Sequence, residues 1–244
     1  MWRTFRPALL LALLLAPFMA LFPPAPASAE TKVDLELILM ADASGSIDHG
    51  EFLLQRRGYA LALRDPRVLD AIRNGPLGRI ALAYVEWSGP GHQTPIVPWT
   101  LIGDRAGLAG FANRLEDVLR QIFYGGTAPG NAILYGVASL QTNAYKGLRR
   151  VIDVSGDDFD IDGIPVAEGR DWAVARGITV NGLPILDGQP ALAPFFRDNV
   201  IGGPGAFHIT ANDFRDFAIA VRKKLIREIA GVPEDGRRQA AVHF

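Results

Sequence analysis

The sequence predicts an α/β fold: a doubly wound, mostly parallel, Rossmann-like sheet with helices on both faces and one antiparallel edge strand. A continuous apolar run at residues 35–41 has the length of a strand that is buried on both faces. Strand-like and helix-like segments then alternate along the chain, which is typical of a parallel sheet. A strand-like segment containing Pro95 and Pro98 fits a hairpin at the sheet edge, because proline donates no ladder hydrogen bond.

The elements follow one another at the spacing of one large domain in a chain of 244 residues. Asp48, with Glu51 three residues later, forms a capping box that predicts the start of the first helix. In chain order, we predict a strand at 35–41, a helix at 48–64, strands at 78–87 and 94–102, helices at 104–123 and 131–140, a strand at 150–154, a helix at 165–176, a strand at 178–185, a short helix within 187–205, a short strand at 206–209 and a helix at 213–229.

The N-terminal segment has the pattern of a signal peptide. Arg3 and Arg6 precede an apolar run at 9–15, and small residues end the segment at Ala29. We therefore predict a signal peptide at 1–29, a domain at 30–231 and a flexible tail at 232–244. The apolar run is short for a membrane span, so we expect a bacterial periplasmic or secreted protein whose mature form does not span the membrane. A retained N-terminal anchor is the alternative.

Composition excludes several classes of function. The chain has no cysteine, so it has no disulfide, thiolate nucleophile or zinc–thiolate site. Removing Arg3 and Arg6 with the signal peptide changes the formal net charge from −1 to −3. That charge is too small to suggest a nucleic acid or an anionic membrane as the partner.

Oxygen-bearing side chains follow the first strand directly. Asp42, Ser44 and Ser46 occupy alternate positions before the predicted helix. Ligands of open α/β sheets bind outside the carboxyl ends of the strands, and hard oxygen ligands suit Mg²⁺ or Ca²⁺. These residue types also favour turns and helix caps, so a purely structural role is the other interpretation.

The D-x-S-x-S pattern at Asp42, Ser44 and Ser46 resembles the first motif of the metal-ion-dependent adhesion site (MIDAS) of von Willebrand factor A (vWA) domains. Those domains add a Thr and an Asp from two later loops, and Thr127 and Asp157 occur here in that order. The resemblance covers residues 35–229. The segments at 155–157 and 201–207 further resemble a secreted bacterial branch of that family, of uncharacterised function.

The resemblance implies a non-enzymatic, cation-dependent binding domain. Mg²⁺, or else Mn²⁺ or Ca²⁺, would be held by five side chains and would engage an Asp or Glu of an unknown protein partner. Two converging aspartates repel each other unless a cation neutralises them, and hydroxyl groups add ligands without adding charge. The five metal residues are Asp42, Ser44, Ser46, Thr127 and Asp157.

The loop after Asp157 contains more acid than this site needs. Asp158, Asp160 and Asp162 match the first half of a calcium-binding loop. The glutamate that should close such a loop is replaced by Gly169. A second cation on these three aspartates is one hypothesis, and a solvated acidic turn is the other.

A metal-dependent phosphohydrolase of the haloacid-dehalogenase type is the alternative function. Such enzymes resemble this chain in having an Asp at the tip of the first strand. They need a second Asp two residues later as general acid, and Ser44 occupies that position here. A hydroxyl group cannot protonate a leaving group as a carboxylic acid does near neutral pH.

Overall fold

The computed structural model describes residues 30–231, which form a five-stranded sheet in the order β3-β2-β1-β4-β5. All neighbouring strands are parallel except β2 and β3, which are antiparallel. The predicted fold class, including the antiparallel edge strand, is therefore confirmed. The predicted signal peptide and tail lie outside the described residues. The strands are β1 (Thr31–Asp42), β2 (Ile80–Trp87), β3 (Gln93–Ile102), β4 (Tyr145–Gly156) and β5 (Thr179–Pro184).

Helices cover both faces of the sheet. β1 is buried along most of its length because Leu37 and Leu39 join one apolar cluster while Ile38 and Met40 join the other. The helices α1 (His49–Leu63), α2 (Pro66–Arg73), α3 (Arg105–Asp117) and α7 (Phe217–Ala230) contribute to the first cluster. The second contains residues of α4 (Pro129–Thr142), α5 (Val166–Val174), α6 (Leu192–Phe195) and the π-helical turn Phe196–Val200. None of the helices in residues 30–231 combines the length and hydrophobicity needed to cross a membrane.

The predicted helix at 104–123 is wrong at its C-terminal end. α3 stops at Asp117, and Val118 has extended backbone angles. The guanidinium group of Arg56, on α1, donates to the carbonyl oxygens of Leu115 and Val118. Because these bonds satisfy carbonyls at the end of α3, residues 118–128 are free to form a loop.

Two other predictions near the C-terminus differ from the structure. The strand predicted at 206–209 is absent, and this segment makes a single isolated bridge to β5, between His208 and Gly182. Its Phe207 amide bonds the side chain of Asn181 instead of a strand carbonyl, at 2.9 Å. α7 begins at Phe217 rather than at 213, because the carboxylate of Asp213 accepts the amides of residues 215 and 216 in a turn.

The helix α2 was not predicted. Asp65 and Pro66 mark the end of α1, but they also start α2. The Asp65 carboxylate accepts the amide of Arg67 as an N-cap, and Pro66 occupies the first turn, where it loses no hydrogen bond.

A buried cluster of charges joins α7 to the sheet. Lys224 is completely buried and contacts the carboxylates of Asp153, on β4, and Glu228. Asn181 donates a second hydrogen bond to Glu228, at 2.9 Å. Burial and the charge of Glu228 raise the pKa of Asp153 to about 7. The ammonium group of Lys224 thus compensates part of the negative charge of two buried carboxylates.

We predict that Lys224→Met destabilises the fold by about 3–5 kcal/mol at pH 8, because it leaves two buried carboxylates without a cation. The pKa of Asp153 lies above the value expected in the unfolded chain, so its charged form costs stability as the pH rises from about 4 to about 7. The loss should therefore shrink at pH 5. Urea unfolding at both pH values measures it.

Lys223→Met is the matched control, because Lys223 lies on the same helix but is exposed. This substitution should change the free energy of unfolding by less than about 0.5 kcal/mol. Equal losses in the two variants would contradict the role given to Lys224.

Candidate metal centre

The strand order creates a crevice at the carboxyl ends of β1 and β4. The chain passes from β1 to β2 on one side and later returns to β4 on the other, so ligands are expected between β1 and β4. Asp42 is the last residue of β1, and Asp157 follows Gly156, the last residue of β4. A Cβ atom at Gly156 would lie 3.0 Å from Asp42 Oδ2, so glycine permits this close approach.

Hydrogen bonds connect four of the five predicted metal residues. The amide of Ser44 donates to Asp42 Oδ1 at 2.8 Å. The hydroxyl oxygens of Ser44 and Ser46 are 3.0 Å apart, and Ser46 donates to Asp157 Oδ1 at 2.9 Å. The structure therefore brings together two carboxylates and two hydroxyl groups from loops that are more than 100 residues apart in the sequence.

Thr127, the fifth predicted residue, lies in the loop 118–128, which is docked on the first loop. The amide of Gly45 donates to the carbonyl of Gly125 at 3.1 Å. Gly125 has a φ of +126°, and a Cβ atom there would lie 2.6 Å from the hydroxyl of Ser88, so the turn requires glycine. Thr127 is buried, and its carbonyl accepts the amides of Ile161 and Asp162 at 3.1 Å. This residue thus joins the loop to the acidic segment after β4.

Asp42 is in an environment that disfavours its negative charge. Its side chain is fully buried, and Oδ2 has no hydrogen-bond partner among the described residues. Burial and the charge of Asp157 raise the pKa of Asp42 to about 8. Burial also raises the pKa of Asp157, to about 6. The pair needs either protons or an external cation to be stable near neutral pH.

The acidic segment does not gather its three aspartates at one point. Asp158 and Asp162 each accept the amide of the residue that follows, and Asp160 accepts the amide of Val166 at the start of α5. Within residues 30–231, no group of three or more His, Cys, Asp and Glu side chains is arranged to hold a metal ion. The carboxylates of Asp158, Asp160 and Asp162 are thus each bonded to a backbone amide of their own segment or of α5, and the second cation stays a prediction.

Arg120 and Gln55 support the site but were not predicted. The guanidinium group of Arg120 donates to the carbonyl of Ile47 at 3.0 Å and, at longer distances, to those of Ala43 and Asp48. Gln55, on α1, donates to the backbone carbonyl of Asp42 at 3.1 Å. Arg120 falls within the stretch predicted as helix, and no local pattern indicates that its side chain bonds a distant loop.

The loop 118–128 itself carries exposed apolar side chains. Leu119, Phe123 and Tyr124 have 81%, 67% and 73% of their surfaces exposed. Arg120 lies over the ring of Phe52 at 4.8 Å and over that of Phe123 at 5.8 Å, which fixes the loop on α1. The loop 118–128, which is bonded to the loop after Asp42, therefore presents three large apolar side chains to solvent.

The sequence matches the family described as "Protein of unknown function (DUF1194)" over residues 32–233. The chain belongs to this family. DUF1194 is a vWA-like family, so the predicted family resemblance is confirmed at the level of the vWA fold. No curated protein matches the sequence.

Solved structures show the same fold. The proximal thread matrix protein 1 of the mussel byssus, solved with a zinc-occupied MIDAS motif, is 15% identical, with a TM-score of 0.57 over 82% of this chain and 49% of that chain. A von Willebrand factor type A protein from Catenulispora acidiphila is 16% identical, with a TM-score of 0.57 over 81% and 43%. The SpRpn10 VWA domain is 14% identical, with a TM-score of 0.55 over 82% and 99%. This chain spans less than half of the first two.

We predict that Arg120→Gln releases the loop 118–128 without unfolding the domain, because it removes bonds to carbonyls of the Asp42 loop and the start of α1. The amide of Gly45, which is bonded to Gly125, should exchange with solvent at least about ten-fold faster. Hydrogen exchange followed by NMR or mass spectrometry measures this rate.

Arg114→Gln is the matched control. Arg114 is exposed on α3 and donates only to Thr100 among the described residues, at 3.1 Å. Its loss should leave exchange in the loop unchanged. Unchanged exchange at Gly45 in Arg120→Gln would show that the loop is held by other contacts.

Proposed function

We propose that the domain binds a divalent cation, Mg²⁺ or else Mn²⁺ or Ca²⁺, and uses it to bind a protein partner through an Asp or Glu side chain. The cation would be held by Asp42, Ser44, Ser46, Thr127 and Asp157. When bound, it supplies a positively charged centre that accepts a carboxylate oxygen from outside the domain.

The observation that carries this proposal is the buried Asp42 Oδ2, which has no hydrogen-bond donor among residues 30–231. A buried carboxylate oxygen without a donor is costly unless a proton or a cation compensates it. The hydroxyls of Ser44 and Ser46 lie within the same chain of hydrogen bonds, and Asp157 ends that chain. Carboxylate and hydroxyl oxygens are hard ligands, so the donor set fits these cations.

The surface near the site supports a protein as the ligand. Leu119, Phe123 and Tyr124 are exposed on a loop that is bonded to the Asp42 loop, and large exposed apolar side chains next to a polar site are the kind of surface that a protein partner can cover. The mussel protein of the same fold has a zinc-occupied MIDAS motif, which is consistent with cation binding here. We also propose that the chain is exported, with residues 1–29 removed and residues 30–231 as the binding domain.

Nothing in the geometry favours the phosphohydrolase alternative. Ser44 stands where that enzyme class needs a carboxylic acid, and its hydroxyl bonds Ser46. The position therefore serves the chain of hydrogen bonds around Asp42 and Asp157. We accordingly propose a binding function and not an enzymatic one.

We predict that Mg²⁺ or Mn²⁺ raises the melting temperature of the protein, because a ligand that binds only the folded state stabilises it by mass action. At a cation concentration of about 100 times Kd, the gain should be about 2.7 kcal/mol. Asp42→Asn and Asp157→Asn should each remove most of the response. Differential scanning calorimetry with and without EDTA measures it.

Asp171→Asn is the control, because Asp171 is an exposed aspartate of α5 with no contact to the site among the described residues. This variant should respond to the cation as the unchanged protein does. A full response in Asp42→Asn would rule out the assigned site.

A further inference from the structure

A cavity of about 580 Å³ lies at the amino end of the sheet, away from Asp42. Its walls come from the first half of β4, the start of β5, residues 204–207 and the end of α7. The parallel strands run from this end towards Asp42 and Asp157, so the cavity and the candidate metal centre are at opposite edges. Its volume lies in the usual range for sites that bind small molecules.

The outer edge of β5 is bordered by residues 202–211, which meet it only through isolated bridges. Gly202 pairs with Val180, His208 pairs with Gly182, and Ala211 pairs with Ile185, just beyond β5. Gly203 and Gly205, between the first two of these bridges, have φ angles of +92° and +68°, which favour glycine. The loop between the first two bridges supplies Pro204, Gly205 and Phe207 to the cavity wall.

Three arginines line this cavity: Arg149, Arg150 and Arg227. Within residues 30–231, no carboxylate oxygen lies within 4.0 Å of any of their guanidinium nitrogens. Elsewhere in the domain, arginines such as Arg56 and Arg170 are paired with carboxylates. Positive charge in the cavity is thus left uncompensated by the part of the chain that the structure describes.

Two of these guanidinium groups are held in place. Arg149 donates to the carbonyl oxygens of Glu228 and Ile229, at 2.8 and 2.7 Å. Arg227 lies over the ring of Phe207 at 4.0 Å. Because both side chains are already fixed, an anion would bind them with a smaller loss of side-chain entropy.

Glu228 also lines the cavity, but its carboxylate is already paired within the buried cluster. Its Oε1 accepts hydrogen bonds from Lys224 and Asn181. Lys224 also pairs with Asp153, so the buried cluster holds one cation and two carboxylates. The residues that line the cavity thus carry three guanidinium groups and one carboxylate, and that carboxylate is already paired with Lys224, so the cavity is cationic overall.

We propose that this cavity binds a small organic anion, a carboxylate or a phosphate ester with a compact apolar body. The arginines would take the anionic group, since guanidinium forms strong paired hydrogen bonds with carboxylate and phosphate oxygens. Leu148, Val151 and Phe207 provide apolar wall for the rest of the molecule. This site is separate from the proposed cation site and does not depend on it.

The test uses the full chain in EDTA, so that no anion is bound through a metal ion. Phenyl phosphate and phenylacetate are the probes, and benzyl alcohol is the neutral analogue. Isothermal titration calorimetry should detect saturable 1:1 binding of at least one anion and none of the alcohol. The two anions distinguish a phosphate site from a carboxylate site. If neither anion binds saturably, or if the alcohol binds as tightly, the proposal is overturned.

Arg227→Gln should weaken binding about ten-fold or more, because it removes one charged donor. Arg227 is exposed and forms no hydrogen bond or ion pair within residues 30–231, so this variant should fold. Arg222→Gln is the control, since Arg222 lies on the same helix outside the cavity and faces Asp65. Equal affinities in Arg227→Gln and Arg222→Gln would place the anion elsewhere and refute the site.

Discussion

The carboxylate of Asp42 sits at the carboxyl end of the central strand with no exposed surface, and the surrounding loops are arranged around it. One of its oxygens is bonded to the amide of Ser44, and the other has no donor among the described residues. Asp157 lies close enough for its charge to raise the pKa of Asp42. Two such carboxylates destabilise the fold unless protons or a cation compensate their charge, and this cost is the physical basis of the proposed cation site.

Helix α1 connects this site to the rest of the domain through polar side chains on its buried face. Gln55 bonds the carbonyl of Asp42, and Arg56 pairs with Glu86, on β2, at 2.7 Å while also bonding the end of α3. One turn later, the hydroxyl of Tyr59 lies 3.1 Å from that of Ser155, on β4. These bonds are directional, whereas apolar contacts are not. They therefore fix the position of α1 along the sheet more precisely than packing alone would.

Much of this architecture can be predicted from local patterns in the sequence. The apolar run of β1 predicts a central strand because its alternate residues must be buried on opposite faces, and the prolines of β3 predict an edge. The capping box at Asp48 is formed as predicted, with hydrogen bonds of 2.8 and 2.9 Å. Four of the five predicted metal residues are linked by hydrogen bonds because parallel strands end at one edge, which the alternation of elements already implies.

The features that escaped prediction depend on contacts between distant segments. α3 ends earlier than predicted because Arg56, about 60 residues away in the sequence, donates hydrogen bonds to carbonyl oxygens at its C-terminal end. No local sequence pattern indicates this contact. Arg120 holds residues more than 70 positions earlier in the chain. The strand predicted at 206–209 does not form, because the backbone amide of Phe207 donates its hydrogen bond to the side chain of Asn181. Such hydrogen bonds determine where a loop begins and which surface it presents. The periodicity of apolar residues in the sequence does not predict them.

The central claim is that a divalent cation occupies the space around Asp42, and a crystal grown with Mn²⁺ tests it most directly. Anomalous diffraction should show one strong manganese peak within about 2–2.5 Å of oxygen ligands from Asp42, Ser44 or Ser46. Asp157 and Thr127 should lie in contact with the ion, directly or through water. A well-ordered crystal in saturating Mn²⁺ with no peak there, or with its only peak at the acidic turn after Asp157, would contradict the account.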